Sequence, residues 1–280
     1  MTTAQKIIKY LAIAFAIFLI VSIISLILFG VYALSGVLGL KDNSKIDVSS
    51  NMQTVDIGNK ENIVNLTDIT SLDIEVKYTN LIIKNGDTFY YETNNDNIIY
   101  KENHNTIKIE EKGKWLFSDT ESNLIIYIPE NFDLNKINIE AGAGKVEIEN
   151  LNADNLDLEL GAGEASISNL NIRNNTKLEG GAGRLNILDG NINNLDLDMG
   201  IGEININSFI TGNSDIDAGI GILNLNLQGS KTDYRIITDK GVGNLKINGE
   251  NISGASTYGE GKNLIKVDEG IGNINIIVNE

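Results

Sequence analysis

The sequence predicts an all-β domain, a single-stranded β-solenoid of about 20-residue rungs, preceded by one N-terminal transmembrane helix. Three observations predict it: a continuous apolar run near the N-terminus, apolar and polar residues that alternate further on, and a Gly-x-Gly motif at nearly constant spacing. Alternation is typical of half-buried strands. A fixed period of this length is typical of stacked repeats, in which each rung buries its apolar face against its neighbours.

The first element is the apolar run. No charged side chain occurs from Tyr10 to Leu40, and the densest part is residues 11–29. A helix of about 20 apolar residues spans a bilayer, whereas the apolar part of a secretion signal has only about 7–15. We therefore prefer an uncleaved anchor to cleavage near Val31-Tyr32-Ala33, which the sequence leaves open. The predicted segments are a cytoplasmic N-terminus (1–9), a transmembrane helix (10–36) and a polar tether (37–65), with the β domain extracellular.

The second element is a set of alternating strands. Residues 72–76, 107–109 and 124–128 alternate apolar and polar side chains, and turn signals such as Asn85-Gly86-Asp87 lie between them. No stretch after Leu40 has convincing helical periodicity. We assign residues 66–137 to non-repeating β strands and residues 138–280 to the Gly-x-Gly repeat region.

The third element is the repeat itself. The first five Gly-x-Gly motifs are spaced 19, 20, 19 and 19 residues apart, and the next two gaps are 22 and 29. Tight bends between strands need positive φ or a close backbone approach, which glycine adopts at low cost. A phosphate-binding glycine loop would be followed directly by a helix, whereas each motif here is followed by a strand. We interpret these glycines as structural corners: Gly142, Gly144, Gly161, Gly163, Gly181, Gly183, Gly200, Gly202, Gly219, Gly221, Gly241, Gly243, Gly270 and Gly272.

Apolar positions flank every corner. Val146 and Ile148 follow the first corner and Ile139 precedes it, and equivalent positions recur in the later repeats, mostly with aliphatic residues. We therefore predict two short inward-facing strands per rung around a thin apolar core. The sequence does not tell whether the edge beyond Ile276 pairs with another chain.

Residues 124–151, LIIYIPENFDLNKINIEAGAGKVEIENL, carry a family resemblance. This segment resembles the hallmark of the putative-adhesin β-repeat family, DUF4097. In that pattern an alternating strand ends in proline, here Pro129, and is followed by an apolar-x-apolar strand and a Gly-x-Gly corner. The resemblance covers residues 66–280, and residues 72–111 resemble the family's N-terminal strands. It implies a β-solenoid-like domain, often displayed on the envelope of Gram-positive bacteria behind one membrane span and in some relatives encoded near envelope-stress systems. The family offers no catalytic residues to carry over.

Composition excludes several functions. The formal charge is −16, from 22 Lys and Arg against 38 Asp and Glu, and the chain has no Cys. Such a chain does not bind nucleic acid by neutralising phosphates; it suits cations or basic partners. Without Cys, disulfides and thiolate metal sites are excluded. We interpret the abundance of Asn, Ile, Lys and Asp as the mark of an AT-rich genome.

One carboxylate column stands out as a candidate site. Two residues before the first glycine of every corner is an acid: Glu140, Glu159, Glu179, Asp198, Asp217, Asp239 and Asp268. Stacking would place these acids about 4.8 Å apart, where like charges destabilise a sheet.

The residues two positions before these acids change the net charge around the column. Asp157, Asp196 and Asp215 add acids there, whereas Lys177 and Lys266 could pair with it. The column is a candidate for weak divalent-cation binding or for a basic partner. The alternative, which we prefer, is a solvated acidic edge that opposes aggregation, because Ca²⁺ needs about 6–8 oxygen ligands. The calcium-binding RTX repeat does not fit, since Leu185 stands where that motif requires Asp.

Catalytic constellations are not evident. The single histidine, His104, lies in a polar turn and is interpreted as a surface residue. A sugar-cleaving cleft needs aromatic platforms, but the repeat region has only Phe209, Tyr234 and Tyr258. A second aromatic group is expected to pack or cap the first rungs, with a binding patch as the alternative: Phe89, Tyr90, Tyr91, Tyr100, Trp115 and Phe117.

The sequence therefore predicts a membrane-anchored, non-catalytic envelope module without a cofactor, for attachment, interaction or stress-linked sensing. Its expected partners are the membrane, through the helix, and an envelope protein or surface component. A cation-rigidified surface spacer is the alternative, followed by an envelope polysaccharide-processing enzyme.

Overall fold

A computed structural model of the chain describes residues 53–56, 68–113, 121–130, 132 and 134–279. All of them belong to one compact unit, Lys45–Glu280. The predicted cytoplasmic N-terminus and transmembrane helix, and also Trp115 and Phe117, lie outside the described residues. Within the described part of the chain, no helix has the length and hydropathy needed to cross a membrane.

The described chain is all-β, as predicted, with one 3-10 turn at Lys231–Asp233. Seven strands precede the repeats: β1 (Gln53–Asp56), β2 (Ser71–Val76), β3 (Asn80–Gly86), β4 (Tyr90–Thr93), β5 (Ile98–Asn103), β6 (Thr106–Glu111) and β7 (Asn123–Pro129). Ten follow: β8 (Leu134–Ile148), β9 (Leu151–Ile167), β10 (Leu170–Ile187), β11 (Gly190–Asn193), β12 (Leu195–Thr211), β13 (Asn213–Leu227), β14 (Tyr234–Ile247), β15 (Glu250–Ile252), β16 (Ser256–Tyr258) and β17 (Asn263–Val278).

The repeats stack as parallel strands with their corners aligned. β8, β9, β10, β12 and β13 pair in chain order. At the corner, Ala162 lies opposite Ala182 and Gly163 opposite Gly183. This arrangement is the β-solenoid-like stack that the period predicted.

Each long strand keeps the same register on both sides of its Gly-x-Gly corner, and at the corner the pairing is interrupted only at the first glycine. In β9, the buried side chains before the corner are Leu156 and Leu158, and those after it are Ala165 and Ile167. The alternation therefore shifts by one residue at the glycines, whereas in an unbroken strand it would keep one phase. This shift lets both arms of the strand face the same core.

A third inward-facing arm corrects the prediction of two per rung. Leu151 and Ala153 are buried and align with Leu170 and Ile172 of the next rung, which are also buried. The arm has only two inward positions, so it is too short to be recognised as an alternating run. An extra residue after Ile172 shifts the register there and accounts for the one 20-residue spacing.

At the C-terminal end, the stack departs from chain order. The last strand, β17, pairs with β13 on one side and β14 on the other, so β14 is the outermost rung. The strand that contains Ile276 is therefore interior to the stack. β15 and β16, which lie in the 29-residue gap, fold back antiparallel onto the two arms of β14 and pair with its residues 245–247 and 236–238.

The N-terminal end is built in the same way. β2 and β3 pair with the two arms of β8 and form a rung that has no glycine corner. β6 and β7 form a further rung outside it, and the antiparallel strands β5 and β4 cover that rung. The segment assigned to non-repeating strands thus contains two rungs, and β1, from the predicted tether, pairs with β4.

Aromatic and amide side chains complete the packing. Phe89 and Tyr91 are buried in the core at the N-terminal end, so they pack the first rungs. On the outside, Asn186, Asn205 and Asn224 form a ladder: the amides of Asn205 and Asn224 each donate to the side-chain oxygen of the asparagine one rung earlier at 2.8 Å. These asparagines join successive rungs, which gives the Asn-rich composition a structural role in addition to any genomic bias.

We predict that Gly183→Ala lowers the free energy of unfolding by about 3 kcal/mol, from φ strain together with a steric clash. Gly183 has φ = 144°, and a Cβ there would overlap the carbonyl oxygen of Gly163. Gly249→Ala is the matched control, because Gly249 has φ = 82° and no atom lies within 4 Å of the place its Cβ would take; its cost should be about 1 kcal/mol. Urea unfolding measures both, and equal costs would contradict close corner stacking.

Candidate functional site

Nine carboxylates lie in register along one side of the stack. The seven predicted acids are extended by Glu75 of β2 and Glu110 of β6, which pair in the same column. We call this column the acidic row, and its order in the stack is Glu110, Glu75, Glu140, Glu159, Glu179, Asp198, Asp217, Asp268 and Asp239. Sequence analysis missed the first two because no glycine pair marks their position.

Lysines relieve the charge repulsion at the N-terminal end of the acidic row. Lys101 and Lys112 form ion pairs with Glu110 and hold the pKa of that carboxyl down at about 2. The Nζ atom of Lys108 lies 3.1 Å from Glu75, and its own pKa is raised by hydrogen bonds to Glu75 and Asp73. This end of the row is therefore largely neutralised within the chain.

The two predicted lysines, one in the middle of the stack and one near its C-terminal end, behave differently. Lys177 pairs with Glu179 of the acidic row, with Nζ 2.7 Å from the carboxylate. Lys266 instead lies 3.5 Å from Asp215, which belongs to the neighbouring column rather than to the row. Only the first of these pairs reduces the negative charge of the row itself.

The C-terminal end of the row is crowded with acids. One carboxylate oxygen from each of Asp215, Asp217 and Asp268 lies within 4.8 Å of the other two. Partial burial, and then the charges of Asp215 and Asp268, raise the pKa of Asp217. The uncompensated negative potential of the row is thus concentrated on its last rungs.

A groove of about 560 Å³ follows the last rungs. Four acids of the row line it, together with Ala218, Glu269 and the first glycines of three corners: Asp198, Asp217, Asp239, Asp268, Gly219, Gly241 and Gly270. Polar backbone at the glycines and a line of carboxylates make this groove suitable for cationic groups.

Glu269 is the residue in the groove that sequence analysis missed. It is only 6% exposed, and its Oε1 atom is buried without a hydrogen-bond partner in the described part of the chain. Burial raises its pKa to about 7. In the aligned column the previous two rungs carry Met199 and Ala218, both buried. The earlier rungs carry apolar residues or glycine in this column, and Lys240 aligns with Glu269 in the outermost rung. An acid that follows this apolar series is the signal that could have identified it.

The acids of the groove do not form a complete calcium site. The cluster brings together three carboxylates, whereas Ca²⁺ takes about 6–8 oxygen ligands. The ammonium group of Lys266 beside Asp215 further opposes a cation at that point. The arrangement can attract cations, but within the described residues it does not enclose one.

The residues considered for catalysis do not meet at this site. His104 is exposed in the turn between β5 and β6, with Nδ1 2.6 Å from the side-chain oxygen of Asn103. No aromatic side chain is among the described residues that line the groove. Phe209 packs edge-on against Tyr234 at 6.0 Å, and the ring of Tyr258 lies 4.8 Å from Lys231 Nζ.

Comparison with known proteins gives a family match and distant structural likenesses. The profile of the family described as Toastrack DUF4097 matches residues 43–270, and no curated protein matches the sequence. A putative cell adhesion protein from Clostridium sporogenes is 15% identical, with a TM-score of 0.37 over 81% of this chain and 99% of that chain. A putative adhesin from Bacteroides fragilis is 18% identical, with a TM-score of 0.36 over 82% and 99%. At these TM-scores the likenesses carry no argument about function.

We predict that Glu269→Gln changes the pH dependence of stability. A folded-state pKa of about 7, above the ordinary 4.5, means that the native protein holds a proton which the unfolded chain has lost. Wild-type stability should therefore fall as pH rises from about 4.5 to about 7, by about 3 kcal/mol relative to the variant. Urea unfolding at pH 4.5 and pH 8 measures this difference; a difference that is independent of pH would show that Glu269 is not perturbed.

Proposed function

The chain belongs to the Toastrack DUF4097 family, and we propose that it is a non-catalytic attachment module of the cell envelope that presents the acidic row to a basic partner. The single observation that carries the proposal is the alignment of nine carboxylates along one side of the stack. Like charges in direct register destabilise a sheet, so a continuous row is a costly arrangement for a surface with only a structural role.

The stack makes the row a preorganised surface. The inward side chains of the rungs form one continuous core, with Ile139, Leu158 and Leu197 all at most 1% exposed directly beside the row. Parallel strands fix the spacing of the carboxylates at about 4.8 Å. A partner therefore binds acids that are already positioned, and the loss of conformational entropy on binding is small.

Charge also favours a basic partner kinetically. The chain carries a formal charge of −16. Lysines pair with the N-terminal end of the row, whereas among the described side chains no lysine pairs with the row acids of the last rungs. A field of this kind speeds the encounter with positively charged partners and repels anionic polymers. Under this proposal the apolar segment 11–29 holds the domain at the outer side of the cell membrane, with the row turned to proteins of the envelope.

A cation-rigidified spacer is the second candidate, and the cluster of Asp215, Asp217 and Asp268 favours it. Divalent cations between the rungs would remove repulsion and stiffen the stack. The incomplete ligand set, with three carboxylates within reach of one another, makes it the weaker of the two proposals.

We predict that neutralising the row weakens binding to a labelled octalysine peptide. The test variant combines Glu140→Gln, Glu159→Gln and Asp198→Asn, and full-length protein in detergent micelles is titrated by fluorescence anisotropy. The dissociation constant should rise about tenfold, because each exposed ion pair contributes roughly 0.5 kcal/mol.

The matched control changes the same net charge away from the row. It combines Asp87→Asn, Glu250→Gln and Glu260→Gln, all at exposed positions. Less than a twofold effect is expected for this control. Equal losses in the two variants would mean that only net charge matters, and the proposal would be wrong.

Calcium separates the two candidate functions. As an attachment module that relies on free carboxylates, the protein should show no change in melting temperature between chelator and millimolar calcium. If calcium raises the melting temperature by several degrees and this rise disappears in Asp217→Asn, the attachment module is wrong and the spacer is the function.

A further inference from the structure

The middle residues of the glycine corners form an exposed apolar ridge. Ile201, Ile220, Ile271 and Val242 align in successive rungs, whereas the three earlier corners carry alanine. Exposure increases toward the outer rungs, from partly buried Ile220 to 46% for Ile271 and 70% for Val242. We call these four residues the apolar ridge. Aliphatic side chains in a continuous exposed line are typical of interaction surfaces.

The apolar ridge borders the acidic groove. Each ridge residue of the last three rungs directly follows a glycine that lines the groove: Ile220 follows Gly219, Ile271 follows Gly270 and Val242 follows Gly241. Ile222, which is 42% exposed, extends the apolar surface. The C-terminal rungs therefore place exposed aliphatic side chains beside four aspartates.

The described strands leave this corner uncovered. β15 pairs with residues 245–247 of β14 and β16 with residues 236–238, so the corner at 239–244 has no strand on its outer side in the described part of the chain. Both arms of the outermost rung are protected, but the segment that contains Val242 is not. A partner can reach the ridge and the groove together.

We infer that these C-terminal rungs are the docking site for a basic, amphipathic polypeptide segment of an envelope partner. Lysine or arginine side chains of the segment enter the groove toward Asp217, Asp268 and Asp239, and its apolar side chains cover the ridge. Glu269 also lines the groove, with its Oε1 atom buried in the groove wall. The inference rests on the proposed function and identifies the partner chemistry and the place where it binds.

Charge complementarity selects this occupant over others. A second copy of the chain would bring one acidic row against another, and like charges in contact cost several kcal/mol. An anionic surface is repelled for the same reason. A segment that is apolar without basic residues would leave the aspartates facing a less polar environment without counter-charges, which is unfavourable.

The test uses full-length protein in detergent micelles and a labelled peptide of alternating lysine and valine, eight residues long. Val242→Ser with Ile271→Ser removes the two most exposed side chains of the ridge, and Leu188→Ser, at an exposed leucine between β10 and β11, is the apolar control. Anisotropy should show binding about tenfold weaker for the ridge variant, since two aliphatic side chains lose their contacts. Leu188→Ser should change binding less than twofold. The peptide should also bind wild-type protein more tightly than octalysine does.

Other results separate the inference from the proposed function. If the ridge variant binds the lysine–valine peptide as wild type does while the variant at Glu140, Glu159 and Asp198 loses binding, the row is a binding surface and the ridge inference is wrong. If neither peptide binds wild-type protein, both proposals are wrong. If wild-type protein self-associates in sedimentation and the ridge variant does not, the occupant is a second copy and the inference is overturned.

Discussion

The close stacking of glycine backbone on glycine backbone at successive corners is the constraint on which the rest of the structure depends. A Cβ at Gly163 or Gly183 would overlap the carbonyl oxygen of the corner beneath it. From β9 onward the corners can therefore stack only with glycine on glycine, and this fixes the register of both arms of those rungs. Because a slip of one residue would turn each core side chain outward, the corner also determines which side chains face solvent.

That register explains why chemically similar residues form lines across the surface. Once the corners align, residues at the same offset from the glycines must lie opposite one another, whether they are aspartates, asparagines or isoleucines. The asparagine line gains hydrogen bonds between rungs, whereas in the carboxylate line partial burial, and then repulsion between the acids, raise the pKa of Asp217. In a repeat of this kind, the interaction made by one residue type recurs at every rung, so its favourable or unfavourable free energy adds up along the stack.

Much of the fold could be predicted because its signals are local and periodic. The corner glycines, the inward positions such as Val146 and Ile148, and the seven acids are fixed by their distance from a recognisable motif. The third arm was missed because Leu151 and Ala153 form too short an alternation. The position of β17 between β13 and β14 was missed because strand order is a tertiary property that no residue pattern records. Glu269 was missed because its meaning depends on its aligned neighbours, Met199 and Ala218, being buried.

The interior position of β17 has a consequence for how the chain folds during synthesis. Rungs from β8 to β13 can add one after another as residues leave the ribosome, each on a finished neighbour. The edge of β13 stays unpaired while β14, β15 and β16 are made, because its partner β17 follows them in the sequence. This part of the stack closes only after β17 has been synthesised. The final assembly step is thus an insertion between two existing strands rather than an addition at an end, and a truncated chain would keep the exposed edge that promotes aggregation.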